Sequence, residues 1–132
     1  MTGETDPSRL IAGMKPVLHD GEYVFCTLGD PSGASLEEAI GFFREDEGMT
    51  LILAREKADA LGLAYDYIAA WVSLTIHSSL NAVGLTAAIS SALSESGISC
   101  NVVAAYHHDH LFVARDEAGR AMAVLKRLAR AS

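Results

Sequence analysis

A polar loop between an apolar strand and an apolar helix is the part of this sequence best suited to bind a ligand. The loop runs from His77 to Thr86, after a strand-like segment and before a helix-like one. The first backbone N–H groups of a helix have no partner within the helix, and the positive end of the helix dipole lies behind them. The loop could therefore hold an anion such as the carboxylate of an amino acid.

The side chains of this loop are small and polar, which suits such a ligand. Ser78, Ser79 and Asn81 carry short polar groups, and Gly84 permits close approach of a ligand to the backbone. A purely structural interpretation is also open, in which one serine caps the helix and Gly84 eases its packing.

Asn101 is a second candidate for ligand contact because it interrupts an apolar strand. We expect this strand to follow the helix and to run beside the strand from Trp71 to His77, where the amide could hold an amino or carboxylate group. The alternative is that the amide points to solvent or satisfies a neighbouring loop.

Three histidines and an aspartate stand together from His107 to His110 and could suggest a metal site. Consecutive residues of a hairpin point in different directions, so at most two of these side chains could readily reach one ion. No Cys-x-x-Cys or His-Glu-x-x-His pattern supplies further ligands. A hairpin whose polar side chains bond to the turn backbone is the favoured interpretation.

The sequence lacks the patterns of common catalytic and nucleotide-binding sites. His77 and Ser78 are neighbours at a strand end, where adjacent side chains rarely align for proton transfer, and no Gly-x-Ser-x-Gly pattern occurs. Neither Gly-x-Gly-x-x-Gly nor a Walker loop occurs. We therefore expect no catalytic residue, no metal and no cofactor.

The elements that must position these residues are clearest in the second half of the chain. Strict alternation from Trp71 to His77 predicts a half-buried strand, with Trp71, Ser73, Thr75 and His77 on an open face. Helical spacing of apolar residues after the loop predicts a helix that stops at Gly97. Beyond it the pattern predicts, in order, a strand over 98–106, a tight connection over 107–110, a strand over 111–113 and an amphipathic helix over 117–131, with Ala118, Ala121, Met122, Leu125, Leu128 and Ala129 buried.

The first half starts in a similar order. Strands are predicted over Glu22–Leu28 and Gly48–Ala54, and a capping box of Ser35 and Glu38 predicts a helix over Leu36–Phe43 between them. A further helix is predicted over 56–61. Strand starts at Tyr23 and Met49 match those at Trp71 and Ile98 and indicate an internal repeat, degraded in its first copy because no hairpin partner follows Ala54.

The element order of the second half is strand, helix, strand, strand, helix. It becomes a ferredoxin-like sandwich if one further strand joins the sheet, and the first half of the chain can supply that strand. The predicted fold class is therefore α+β.

Composition and charge exclude several classes of protein. The chain has 132 residues, half of them hydrophobic and 20% charged, which fits one compact domain or two very small ones. No apolar stretch is long enough for a membrane helix, and the acidic, polar start is unlike a signal peptide, so we expect a cytoplasmic protein with no membrane partner. Seventeen acidic residues outnumber ten basic ones, without a basic patch for nucleic acid. Cys26 and Cys100 lie in apolar runs and are expected to be reduced thiols, with a disulfide or redox pair as the alternative.

Two segments, Trp71–Thr86 and Glu95–Val113, resemble the ACT domain. The specific parts are the loop His-Ser-Ser-Leu-Asn-Ala-Val-Gly-Leu-Thr and the hairpin Asn-Val-Val-Ala-Ala-Tyr-His-His-Asp-His-Leu-Phe-Val. Together with Glu22–Thr27 and Gly48–Leu53, they make residues 10–128 similar to a small bacterial family of functionally uncharacterised stand-alone proteins with two ACT-like halves.

The resemblance implies a βαββαβ fold in two ACT-like halves, a degenerate one over residues 1–66 and a second over 67–132. It also implies a regulatory module without catalytic activity that binds a small molecule, usually an amino acid. Many ACT modules carry Gly or Asp where this chain has Ser78 and Ser79, so the resemblance does not imply which amino acid is bound. The matching positions for ligand contact are His77, Ser78, Ser79, Leu80, Val83 and Gly84, with Ser99, Cys100, Asn101 and Val102 of a facing copy across from them.

Two alternatives are a structural or protein-interaction module without a ligand and a histidine-based metal-binding protein. Self-association as a homodimer is expected because Trp71 on an open sheet face would expose an apolar patch in a monomer. The alternative is that the first half of the chain covers that face.

Overall fold

The computed structural model describes residues 6–29, 35–75 and 83–131. None of the helices in these ranges is long and apolar enough to cross a membrane. Along the chain the elements are α1 (Pro7–Ala12), β1 (Pro16–Leu18), β2 (Tyr23–Leu28), α2 (Ser35–Glu38), β3 (Ala39–Glu45), β4 (Gly48–Ala54), α3 (Arg55–Ala60), β5 (Ile68–Leu74), α4 (Leu85–Glu95), β6 (Cys100–Ala104), β7 (Asp109–Ala114), a short 3₁₀ helix (Arg115–Glu117) and α5 (Ala118–Ala131).

The chain divides into two compact units. The central unit is Asp20–Ala69, and the terminal unit combines the segment up to His19 with the segment from Ala70 onward. The first two residues of β5 therefore belong to the central unit and the remainder to the terminal unit.

The central unit has the strand order β3-β4-β2, followed by the first residues of β5. β4 pairs antiparallel with both β3 and β2, and Tyr23 and Val24 of β2 pair with Ala69 and Ile68. These strands, with α2 and α3, give the order βαββαβ, in which the first helix has only four residues. The buried core of this unit consists of Val24, Cys26, Met49, Leu51, Leu53 and Ala58.

The terminal unit has the strand order β1-β5-β7-β6. Its fourth strand comes from the N-terminal segment, since β1 pairs antiparallel with β5 and places Val17 opposite Ser73. This confirms the predicted ferredoxin-like sandwich and the prediction that the first half supplies the missing strand. The core that packs with the sheet comes from α1, α4, α5 and Met14, which follows α1. It includes Leu10, Ile11, Met14, Leu85, Ile89, Leu93, Ala121, Val124 and Leu125.

The predicted helix over Leu36–Phe43 is wrong. The helix begins at Ser35 but ends at Glu38, and Ala39–Glu45 forms strand β3. Ile40, Phe42 and Phe43 favour extended backbone, and pairing with β4 overrides the local helix signal of the capping box. The hairpin partner of β4 thus precedes it in the sequence, whereas the predicted repeat would place this partner after Ala54.

The strand order also corrects the alignment of the internal repeat. In each unit, the two strands that follow the first helix form a hairpin, so β4 corresponds to β7 and β3 corresponds to β6. The strand at Met49 therefore does not match the strand after Gly97. For the same reason β6 does not run beside β5 as predicted for Asn101, because β7 lies between them.

Candidate functional site

The predicted ligand loop is described only at its C-terminal end. His77, Ser78, Ser79 and Leu80 lie outside the described residues, as does Asn81. Val83 is described and is 82% exposed, and Gly84 directly precedes α4.

Gly84 begins α4 with a left-handed backbone. Its φ of 90° is a backbone angle that residues with a side chain rarely adopt, which explains why glycine occupies this position. The Gly84 carbonyl accepts from the Ala88 amide at 2.9 Å, so the helix starts here. No side chain of the cap residue bonds to the first turn, and that turn contains no acidic residue. The local electrostatics at this helix start therefore favour an anion.

The second part of the predicted site lies at strand β6, which packs beside α4 in the terminal unit. Ser99 and Asn101 are exposed, whereas Cys100 and Val102 pack against the core. Burial raises the pKa of the Cys100 thiol to about 11, so it stays protonated at neutral pH. Cys26 and Cys100 are both free thiols, as predicted.

A polar cluster on the terminal unit escaped the sequence prediction. The Ser73 hydroxyl lies 2.7 Å from Nε2 of His19 and 2.9 Å from Nδ1 of His110. The indole N–H of Trp71 donates to the same Nδ1 at 3.1 Å, and the His19 ring stacks on the Trp71 ring. Trp71 and Ser73, predicted on an open face, are thus half-buried and buried, respectively.

The indole N–H of Trp71 determines the protonation of one nitrogen in this cluster. An indole N–H can only donate, so Nδ1 of His110 carries no proton. His110 is therefore neutral, with its proton on Nε2. The Ser73 hydroxyl lies between Nδ1 of His110 and Nε2 of His19, and the tautomer of His19 decides to which of the two it donates.

The ionisable groups around the cluster carry shifted pKa values. Burial lowers the pKa of His110, with smaller contributions from His108 and His19, while Asp109 acts in the opposite direction. Burial also raises the pKa of Asp109 despite the neighbouring His110. Both shifts disfavour charge in this part of the unit.

Of the remaining histidines of the hairpin, His108 lies beside the cluster with its ring edge-on to His110, whereas His107 packs elsewhere. His107 and His108 are exposed, and the His107 ring meets the edge of Tyr106. Over residues 6–29, 35–75 and 83–131, no group of three or more histidine, cysteine or acidic side chains is arranged to hold a metal ion. Asp109 and His110 lie in β7, so the connection is shorter than the predicted 107–110.

The central unit contains an open groove of about 460 Å³. At its side, Tyr65 accepts from Nε of Arg55 at 2.9 Å and donates to Asp59 at 2.7 Å, while Arg55 also pairs with Glu22. Burial and, to a lesser extent, the charge of Asp59 raise the pKa of Cys26, which disfavours its reactive thiolate. The groove is lined by Phe25, Cys26, Thr27, Thr50, Ala64, Tyr65 and Asp66.

Comparison with protein families gives two matches that together cover almost the whole chain. Both are to models of the ACT domain, one over residues 2–70 and the other over residues 67–127. No curated protein matches the chain in sequence.

Solved structures share the fold over most of its length. A Vibrio cholerae protein of unknown function, described as a possible transport protein, is 44% identical with a TM-score of 0.83, over 92% of this chain and 94% of that one. A protein from Agrobacterium tumefaciens is 18% identical with a TM-score of 0.68, over 88% and 89%. The regulatory subunit of aspartate kinase from Thermus thermophilus is 9% identical with a TM-score of 0.63, over 86% and 95%. At these last two identities the likeness concerns the fold alone.

Proposed function

The chain belongs to the ACT-domain family, and from that premise we propose that it is a regulatory or sensory module that binds an amino acid and catalyses no reaction. The observation that carries the proposal is the match of both halves to ACT models, joined to a βαββαβ order in the central unit and a βαββα order in the terminal unit, whose fourth strand is β1. The shared fold with a regulatory subunit of aspartate kinase supports a regulatory role. We further propose that the two ACT-like halves are residues 1–66 and 67–132.

We place the ligand at the start of α4. The exposed first turn, without a capping side chain or an acidic residue, suits the carboxylate of an amino acid. His77, Ser78, Ser79, Leu80 and Val83 would surround the ligand. Across from them, Ser99 and Asn101 of a facing copy would offer exposed polar groups, and Cys100 and Val102 an apolar surface.

The proposed assembly is a homodimer in the cytoplasm. Exposed hydrophobic side chains on β3 support self-association, since Phe43 is 72% exposed on a strand at the end of the strand order in its unit. The same surface favours a second candidate function, a protein-interaction module that binds no small molecule.

A thermal-shift screen of the twenty amino acids separates these two functions. A ligand at about 100 times its dissociation constant should add roughly 2.7 kcal/mol to the unfolding free energy. We expect one amino acid or a small chemical group of them to raise the melting temperature. Asn101→Ala should weaken this shift without altering the melting temperature of the free protein, because Asn101 is exposed.

Ser91→Ala is the matched control, since Ser91 is also exposed but lies in the middle of α4. It should bind as the unaltered protein does. No shift with any amino acid would refute the ligand proposal and leave the interaction module. If Asn101→Ala and Ser91→Ala reduce the ligand-induced rise in melting temperature equally, the placement of the ligand is refuted.

A further inference from the structure

The segment Lys15–His19, here called the strap, is joined to the terminal unit by backbone hydrogen bonds and also contacts α5. Its strand β1 has only three residues, and Val17 and Leu18 are 47% and 42% exposed. Beyond the ladder with β5, the His19 amide donates to the Trp71 carbonyl and the Thr75 amide donates to the Lys15 carbonyl, each at 2.9 Å. Because β1 is short and none of its residues is fully buried, the strap should open locally at a lower cost than the core strands.

The side chain at the end of the strap is part of the polar cluster of His19, Trp71, Ser73 and His110. The His19 ring stacks on Trp71 with 3.6 Å between centroids, and its Nε2 contacts Ser73. Trp71 in turn donates to Nδ1 of His110, and the Ser73 hydroxyl lies 2.9 Å from the same nitrogen. The strap therefore depends on an acceptor that only neutral His110 can provide.

Protonation of His110 is incompatible with this arrangement. The added proton would lie on Nδ1 and point at the indole N–H of Trp71, whose nitrogen is 3.1 Å away. Trp71 would have to move away from His110, because two N–H groups cannot share this short distance. Because His19 stacks on Trp71, the movement would disturb the end of the strap.

Protonation of His19, in contrast, would leave its contacts with Ser73 and Trp71 intact. A charged His19 still donates from Nε2 to Ser73, and a cation on the face of an indole ring is favourable. The proton-sensitive group is thus His110 and not His19.

We infer that the strap is a proton-operated latch, closed on neutral His110 and released when His110 takes up a proton. Within the described residues, the groups that face His110 are His108 and Asp109 just before it, His19 from the strap, the neutral Trp71 and Ser73 from β5, and Val103 opposite it on β6. His108 and His19 both oppose a positive charge on His110. Asp109 favours the charge, but its own burial weakens that effect.

The latch is tested by amide hydrogen exchange resolved by residue. The informative amides are those of His19 and Thr75, here called the strap amides. The His19 amide bonds to Trp71 at one end of the strap, and the Thr75 amide, outside the strap, bonds to Lys15 at the other end. After correction for intrinsic exchange, their protection should fall by about tenfold or more between about pH 7.5 and about pH 5, because the pKa of His110 is lowered and its protonation comes below the ordinary histidine range. Amides of the β2–β4 ladder in the central unit should keep their protection and serve as the internal reference.

A substitution that removes the titration but keeps the acceptor isolates His110. In His110→Asn, the amide oxygen lies near the place of Nδ1 and can accept from Trp71 without gaining a proton. The pH dependence of the two strap amides should then disappear. His107→Asn is the matched control, since His107 is exposed on the same hairpin, and it should keep the full pH dependence.

Unchanged protection of the strap amides at the lower pH would overturn the inference, as would a loss of protection that persists in His110→Asn. If that variant does not fold, the ¹⁵N chemical shifts of the His110 imidazole in the unaltered protein test the inference. They must show Nδ1 without a proton at neutral pH, and their pH dependence must follow the loss of protection of the strap amides. A proton on Nδ1 at neutral pH, or titration at a different pH, refutes the latch.

Discussion

His19 and Trp71 stack with their ring centroids 3.6 Å apart and their planes within 10° of parallel. The pair joins the end of β1 to the middle of β5 through side chains as well as through the backbone, where the His19 amide donates to the Trp71 carbonyl. A strand of three residues is thereby held at its end by one aromatic contact and one hydrogen bond to Ser73.

We expect His19→Ala to destabilise the protein by about 1–2 kcal/mol, because it removes the stacked ring and one hydrogen-bond partner of the buried Ser73 hydroxyl. Chemical denaturation followed by the fluorescence of Trp71, the single tryptophan of the chain, measures the change. His107→Ala is the control and should change the unfolding free energy little, as His107 is exposed. Equal effects of the two substitutions would contradict a specific role for the stacked pair.

Gly48→Ala should be destabilising. Gly48 opens β4 with a φ of 149°, and an added Cβ would lie 3.0 Å from the Leu28 carbonyl oxygen and 3.1 Å from Oγ1 of Thr27. Backbone strain and the clash together should cost roughly 1–3 kcal/mol. The measurement is the midpoint of urea unfolding, compared between variants whose unfolding free energy has the same slope against urea concentration.

Gly41→Ala is the matched control for that substitution. Gly41 lies in the paired strand β3, and an added Cβ there meets no atom within 4 Å. Its urea midpoint should stay near that of the unaltered protein. If both variants lose the same stability, the loss comes from the general change of glycine to alanine and not from the geometry at Gly48.

The two free thiols should react slowly in the folded protein. Burial raises the pKa of Cys100 from 9.0 to about 11, so its thiolate is scarce at about pH 8. A chromogenic disulfide reagent should modify the protein slowly at that pH and rapidly in urea, with the folded rate rising as the pH approaches the shifted pKa. Cys26→Ser isolates Cys100. Rapid modification of the folded variant at about pH 8 would contradict the burial of this thiol.

The second half of the fold was predictable because its signals are periodic and agree with its packing. Leu85, Ile89 and Leu93 recur at helical spacing and are all buried, and Gly97 ends the helix with a φ of 75°. The strand at Phe42 was not predictable, because a capping box next to it gave a genuine local helix signal. Only a tertiary contact, the pairing of Phe42 with Leu51 of β4, makes this segment a strand.

The polar cluster could not be predicted for a different reason. Ser73 is separated along the chain by 54 residues from His19 and by 37 residues from His110. Each histidine taken alone looks like a turn residue, since His19 precedes Asp-Gly and His110 follows Asp. Their common partner emerges only when β1 and β7 both lie beside β5. The one available signal was the position of Trp71 and Ser73 on the same predicted strand face.

Arg120 should contribute to the position of α5 against α4. Its guanidinium donates to the Ser96 carbonyl, just after the end of α4, and pairs with Glu117. The end of a helix dipole favours a cation, so Arg120→Met should cost about 0.5–1 kcal/mol, mostly through this contact. Arg130→Met in the last turn of the same helix is the control and should have a smaller effect. A larger loss for Arg130→Met would contradict the assignment.

The exposed aromatic residues of β3 give the last prediction, which concerns the proposed homodimer. Within the described part of the chain, β3 pairs only with β4, and its Phe43 and Phe42 are 72% and 49% exposed. If this strand forms the contact between copies, Phe43→Lys should weaken association by about tenfold or more, because a desolvated cation opposes burial of the edge. Leu61→Lys introduces the same charge at another exposed hydrophobic residue of the central unit and should associate normally. Sedimentation velocity over a concentration series distinguishes the outcomes: a monomer at every concentration refutes the dimer, whereas a dimer that tolerates Phe43→Lys but dissociates with Trp71→Ala moves the contact to the sheet face at Trp71.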